Sequence, residues 1–135
     1  MLNAKSITRF HRVRPSLVKV ITEAEKESPY HFEITHGVRT VEEQQALYAI
    51  GRTKPGTVVT QCDGVEKKSE HQLKEDLYGD AVDIICFKDG AITWDTEVYK
   101  AVGAHVKAVA KKLKLSVKWG GDFKSFKDYP HYQTA

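Results

Sequence analysis

Long apolar runs are missing from this 135-residue sequence, and their absence removes whole classes of protein. No stretch approaches the roughly 20 apolar residues that a membrane-spanning helix needs. The opening segment, MLNAKSITRFHRVRP, carries basic residues but no run of seven apolar ones, so no secretory signal is expected. Cysteine is scarce. Cys62 and Cys86 form neither a CxxC pair nor a dense framework, and they read as free thiols suited to a reducing compartment. Internal repeats, low-complexity tracts and Pro/Gly/Ser linkers are absent too, so a single domain is expected. The net charge of +3 suits contact with an anionic surface but gives little reason to expect nucleic acid.

What is present is the balance of a folded globular chain, 41% hydrophobic and 29% charged. A domain of this length buries about two-thirds of its unfolded surface and needs no disulfide. Pro15 opens a helix over about 15–27, with Leu17, Val18, Ile21 and Ala24 on one face. Ser28-Pro29 ends it, because the residue before a proline is pushed out of the helical region. Phe32 and Ile34 alternate with polar neighbours in a short strand. Thr40-Val-Glu-Glu43 is a capping box opening a second helix from Val41 to Ile50, with Gly51 as its stop.

Residues 52–75 are polar and broken by Pro55-Gly56 and Asp63-Gly64. So long a loop inside a compact domain tends to be functional, here as a site rim. AVDIICF (81–87) reads as a buried central strand. A short strand follows at 91–93. A third helix runs from about Asp95 to Leu113 on a stripe of Val98, Val102, Val106, Val109 and Leu113. Residues 115–119 alternate as a strand, and the tail GGDFKSFKDYPHYQTA reads as loop. About three helices and a small, largely antiparallel sheet make an α+β fold.

Asp83 breaks this pattern, an acid in the middle of a run hydrophobic enough to be core. Such a carboxylate must be hydrogen-bonded, paired or bound to metal. Ser69-Glu-His71 lies upstream and Asp128-Tyr-Pro-His131 downstream. Imidazole and carboxylate are ligand types that zinc accepts, and three protein ligands with an open fourth position is its catalytic arrangement. Singly, each residue reads equally well as polar surface. His105, beside the apolar stripe, reads as a satisfied boundary histidine and His36 as a cleft-rim residue, while His11 and His31 show no partner pattern. Trp119 and Phe123 read as core or cleft wall, and Gly120-Gly121 is too weak a signal for phosphate binding.

Together the pieces resemble the M15 family of zinc peptidases, in its branch of phage and bacterial L-alanyl-D-glutamate endopeptidases and related D-alanyl-D-alanine peptidases. VRPSLVKVITEAEKESP is similar to the family's first helix and HFEITHGVRTVEEQQALYAIGRTKPGTVVT to its next block. SEH with GDAVDI resembles the SxHxxGxAxD metal motif, and WGGDFKSFKDYPHYQ the closing motif. One departure stands out. The motif has two residues between its histidine and glycine, whereas seven separate His71 from Gly79. Since a surface loop tolerates added length cheaply, the extra residues are expected to bulge outward and leave both ligands in place.

The resemblance implies a small single-domain zinc peptidase of hedgehog/DD-peptidase-like fold. It implies His71, Asp83 and His131 as Zn2+ ligands, Asp128 as general base, and Arg39 facing substrate to polarise its carbonyl. Ser69 would bind substrate or orient the site. On local grounds Arg39 could instead pair with Glu42 or Glu43, and Ser69 could merely cap a turn. Asp128 and His131 lie three apart, so they can share a site only if the chain bends, as Pro130 favours.

The implied activity is endolysin-like hydrolysis of bacterial peptidoglycan stems by a monomer without membrane insertion. It would be made in a host cytoplasm and released to the wall by a separate membrane-permeabilising protein. A D-alanyl-D-alanine carboxypeptidase or dipeptidase, or a non-catalytic zinc-containing wall-binding module, are the alternatives on the same scaffold.

Overall fold

The apolar run AVDIICF is the middle of a sheet, and period-two alternation gives its strand two different faces. Val82, Ile84 and Cys86 point into the core, while Ala81, Asp83 and Ile85 point to the other side. The computed structural model describes residues 2–135. Among them the elements are α1 (Ala4–Arg9), α2 (Pro15–Lys26), β1 (Phe32–His36), α3 (Val41–Ala49), β2 (Ala81–Lys88), β3 (Ala91–Thr93), α4 (Thr96–Lys112), β4 (Val117–Trp119) and β5 (His131–Thr134), with a 3-10 turn at Gly120–Asp122.

The strands pair antiparallel in the order β1-β2-β5-β4, and β3 joins the C-terminal end of β2. Helices α2 and α4 bury their apolar stripes against the core face. Leu17, Val20, Ile21 and Ala24 from α2 meet Val98, Val102, Val106 and Ala110 from α4 in one cluster with Phe32, Ile34, Ile84 and Tyr132. Each buried aliphatic side chain there contributes about 1.5–3 kcal/mol by leaving water. The fold is the α+β architecture with an antiparallel sheet that the sequence implied.

The capping box on α3 is present. Glu43 N–H donates to Thr40 Oγ1 at 3.1 Å and Thr40 N–H to Glu43 Oε1 at 3.0 Å, fixing where the helix starts. Two expectations are corrected. The helices number four rather than about three among the described residues, because α1 precedes the first one expected. The closing segment is not all loop, because His131–Thr134 is a strand inserted between β2 and β4. That second correction positions the site, since β5 registers His131 directly opposite Asp83.

Candidate metal centre

Three side chains from three segments meet on the sheet face away from α2 and α4. Asp83 leaves the middle of β2, His131 leaves the first residue of β5, and His71 comes from a buried turn after the long polar loop. Asp83 Oδ1 lies 3.2 Å from both His71 Nε2 and His131 Nδ1. One ligand atom from each residue lies within 4.8 Å of the other two, close enough to share one metal ion. The rings of His71 and His131 pack edge to face with centroids 5.1 Å apart.

The hydrogen bonds behind the rings decide which nitrogens face inward. His71 Nδ1 is 2.8 Å from the Gly37 carbonyl oxygen, which can only accept, so Nδ1 carries the hydrogen. In the neutral ring Nε2 is then a bare lone pair aimed at the Asp83 carboxylate. His131 Nε2 likewise donates to Gln133 Oε1 at 2.7 Å and leaves Nδ1 facing Asp83. Two lone pairs and a carboxylate oxygen pointing at one another repel unless a cation sits between them. Protonation of the rings or a divalent metal supplies it, and carboxylate with imidazole backed by second hydrogen bonds is a donor set that a metal ion of zinc's type fits.

Charge in the site follows the same geometry. Burial opposes ionisation of Asp83, but hydrogen bonds from His131 and His71 outweigh it and hold the carboxyl far below the usual range. Burial likewise opposes charge on His131, yet the bond to Asp83 carries its pKa above the ordinary histidine value. The second oxygen of Asp83 is taken by Arg39, whose Nη2 donates to Oδ2 at 3.0 Å. Arg39 does not pair with Glu42 or Glu43. Its Nη1 donates to Gln44 Oε1 at 3.2 Å and its backbone N–H to the His71 carbonyl at 2.9 Å.

The bend that Asp128 requires is a turn closed by the His131 N–H donating to the Asp128 carbonyl at 3.1 Å. It brings Asp128 Oδ2 to 3.9 Å from His131 Nδ1, at the edge of the cluster. Burial first, and then the charge of Asp83, push the Asp128 pKa up. Ser69 caps a turn, its Oγ accepting the His71 N–H at 3.2 Å, and it also lines the cleft in front of the cluster. That cleft holds about 550 Å³, and Leu47, Ile50, Val59, Phe123 and Phe126 are the apolar side chains that line it. His36 stands near the cleft, its Nδ1 3.9 Å from Asp83 Oδ2, and His105 is satisfied by the Ala24 carbonyl at 2.8 Å. His31 does have a partner, Glu33 at 3.0 Å.

The extra residues after His71 leave it in place. The loop closes on itself through Lys74 N–H to Tyr78 O at 2.8 Å and returns so tightly that a Cβ on Gly79 would lie 3.1 Å from the His71 carbonyl. Arg14 pins it from outside through Asp76 and Asp80. Sequence reasoning missed Gln44 and Gln72, two buried amides that tie the polar loop down, because nothing in EEQQ or EHQ marks one glutamine as buried.

A family model described as phage L-alanyl-D-glutamate peptidase matches residues 1–134. The chain belongs to that family. It is 43% identical over 106 residues to the peptidoglycan L-alanyl-D-glutamate endopeptidase CwlK of Bacillus subtilis (strain 168), across 74% of this chain and 58% of the relative. The match thus spans little more than half of that bacterial protein's length. The L-alanyl-D-glutamate peptidase of Escherichia phage T5 is 32% identical over 118 residues, covering 87% of this chain and 77% of the relative. Among solved structures, the Serratia marcescens L-Ala D-Glu endopeptidase ChiX superposes with a TM-score of 0.80 at 28% identity, over 100% of this chain and 90% of the other. The vancomycin-resistance D,D-dipeptidase VanXYg shares the fold at a TM-score of 0.55 and 15% identity, over 90% of this chain and 50% of its own. Family and His–Asp–His cluster together indicate a metal site.

Proposed function

We propose that this chain is a zinc-dependent peptidoglycan endopeptidase that hydrolyses the L-alanyl-D-glutamate bond of stem peptides. The observation that carries the reading is the convergence of His71 Nε2, Asp83 Oδ1 and His131 Nδ1 at the floor of an open cleft, in a chain of this family. Relatives named for this bond in Bacillus subtilis, phage T5 and Serratia marcescens support the choice of substrate. His71, Asp83 and His131 would hold the ion, and when bound zinc supplies Lewis acidity and brings the pKa of water towards about 7.

The chain's own groups do the rest. Asp128 Oδ2 takes the proton of the attacking water and returns it to the departing amine, a role served by a carboxyl whose pKa is raised. Arg39 holds Asp83 Oδ2, so that Oδ1 stays turned to the two imidazoles, and it lines the cleft where a scissile carbonyl would lie. Ser69 fixes the turn that presents His71, and the Phe123 ring packs beside that of His131 with centroids 5.8 Å apart. The enzyme would act as a monomer that meets the wall after release from a host cytoplasm.

The test is digestion of purified peptidoglycan by the metal-loaded protein and by Asp128→Ala. New glutamate amino ends are expected from the wild type, and a loss of about 10²–10⁴ in turnover from the variant with zinc content unchanged. Release of free D-alanine would point to a D-alanyl-D-alanine peptidase instead. Equal, near-zero turnover by both proteins with zinc bound would mean a wall-binding module.

A further inference from the structure

Gln44 is fully buried in α3, and the two ends of its amide bond to two different parts of the cleft. Oε1 accepts from Arg39 Nη1 at 3.2 Å. Nε2 donates to the Cys62 carbonyl at 2.9 Å and to Thr60 Oγ1 at 3.2 Å. Residues Val59 to Cys62 form a cleft wall with no strand or helix of their own. The loop then runs so close to the Gln44 stem that a Cβ on Gly64 would lie 3.2 Å from Gln44 Cβ. Gln72 holds Gly64 from the other side, its Nε2 donating to Gly64 O at 3.0 Å.

A buried amide costs free energy unless fully bonded, and an apolar side chain of the same length would fill the space without that cost. The value of an amide at position 44 therefore lies in what it connects. We propose that Gln44 is a positioning residue that couples the 59–62 wall of the cleft to Arg39 and, through the Arg39–Asp83 bond, to the orientation of the metal-facing carboxylate. Substrate seated against that wall steadies Gln44, Gln44 steadies the guanidinium, and the guanidinium keeps Asp83 Oδ1 on the two imidazoles. The kinetic consequence rests on the peptidase reading, whereas the mechanical link stands apart from it.

Two variants separate the two ends of the link. Gln44→Met keeps the length and loses every hydrogen bond, while Gln44→Glu keeps an acceptor for Arg39 and loses the donors to the loop. Amide hydrogen exchange of residues 59–64, Zn2+ affinity by chelator competition, and kcat and KM on purified peptidoglycan are read for both. Exchange in the loop should quicken about tenfold and KM should rise in both variants. Zinc affinity and kcat should fall about tenfold in Gln44→Met but stay within about threefold of wild type in Gln44→Glu.

Wild-type exchange in Gln44→Met overturns the proposal, and so does a loosened loop with unchanged zinc affinity and kcat. Should Gln44→Met fail to fold, Thr60→Val removes a single loop partner. It must then quicken loop exchange and raise KM, and unchanged exchange overturns the link. If the wild type cleaves no stem peptide, the exchange and zinc readings still decide, so the two failures are told apart.

Discussion

Arg39 holds one oxygen of the Asp83 carboxylate and leaves the other to the histidines. Oδ2 receives the Arg39 Nη2 hydrogen at 3.0 Å, while Oδ1 faces His71 Nε2 and His131 Nδ1 at 3.2 Å each. Arg39 and Asp83 are both only 15% exposed at the side chain, so the pair is little screened by water. Arg39→Lys puts a single ammonium where a planar fork reached Asp83 and Gln44 together, and it cannot serve both. The variant should bind zinc about 10–100-fold more weakly and turn over at least about tenfold more slowly, read by chelator competition and by kcat. Wild-type metal affinity in Arg39→Lys would show that Asp83 holds its orientation unaided.

Asp80 makes a pH-dependent contribution at the mouth of the loop after His71. Its side chain is 8% exposed and accepts from Arg14, with Lys74 Nζ 3.9 Å away. Burial works against its charge, but the Arg14 bond and a Thr134 hydrogen bond win and hold its pKa below the ordinary 3.8. A carboxyl depressed by folding stabilises fully above the unfolded value, and that share fades as pH falls through the folded one. Asp80→Asn should therefore cost about 1–3 kcal/mol at pH 7 and progressively less as the pH falls below the ordinary 3.8, measured by urea unfolding at the two ends of that range. An equal gap at both would mean that Asp80 acts by shape alone.

Tyr132 offers a stabilising change. Its ring is fully buried in the core on the opposite face from its neighbour His131, and its hydroxyl finds no hydrogen-bond partner among the described residues. Burial also drives its pKa up. An unpaired buried hydroxyl costs about 1–3 kcal/mol, so Tyr132→Phe should leave stability unchanged or raise it by about 1 kcal/mol. In a thermal melt that gain is a rise of about 3–4 °C. A fall of more than 1 kcal/mol would reveal a partner that this packing does not contain.

How far the sequence could be read follows from where each element gets its order. α2, α4 and β2 carry their own apolar periodicity, and α3 carries its own cap, so all four were plain within a residue or two. α1 has six residues and buries only Ser6, too little for a 3.6-residue period to show. β5 is polar at His131 and Gln133, and only Tyr132 faces the core. It is a strand because β2 and β4 supply partners on both sides, which no local pattern records. Asp83 was conspicuous as an acid in an apolar run, whereas Gln44 looks like its neighbour Gln45 until the loop is seen closing over it.

Gly120 shows how a backbone contact can position the carboxyl proposed as proton acceptor without touching the chemistry. Asp128 N–H donates to the Gly120 carbonyl at 3.0 Å, and a Cβ on Gly120 would overlap the Asp128 carbonyl and come within 3.0 Å of His131 Cβ. The two chains approach this closely only because position 120 has no side chain. Gly120→Ala must push the Asp128–His131 turn away, and a displacement of about 1 Å at a reacting group can cost about 10²-fold in rate. Gly90 is the control. Its φ is +79°, but nothing lies within 4 Å of an added Cβ, so Gly90→Ala should cost about 1 kcal/mol of stability and leave turnover alone. Gly120→Ala should lose about 10²-fold in kcat and also lower the urea midpoint, because the atoms its Cβ meets are backbone and must shift. If it keeps turnover within about threefold, the position of Asp128 matters less than the geometry implies, and its role as proton acceptor would have to be reassigned.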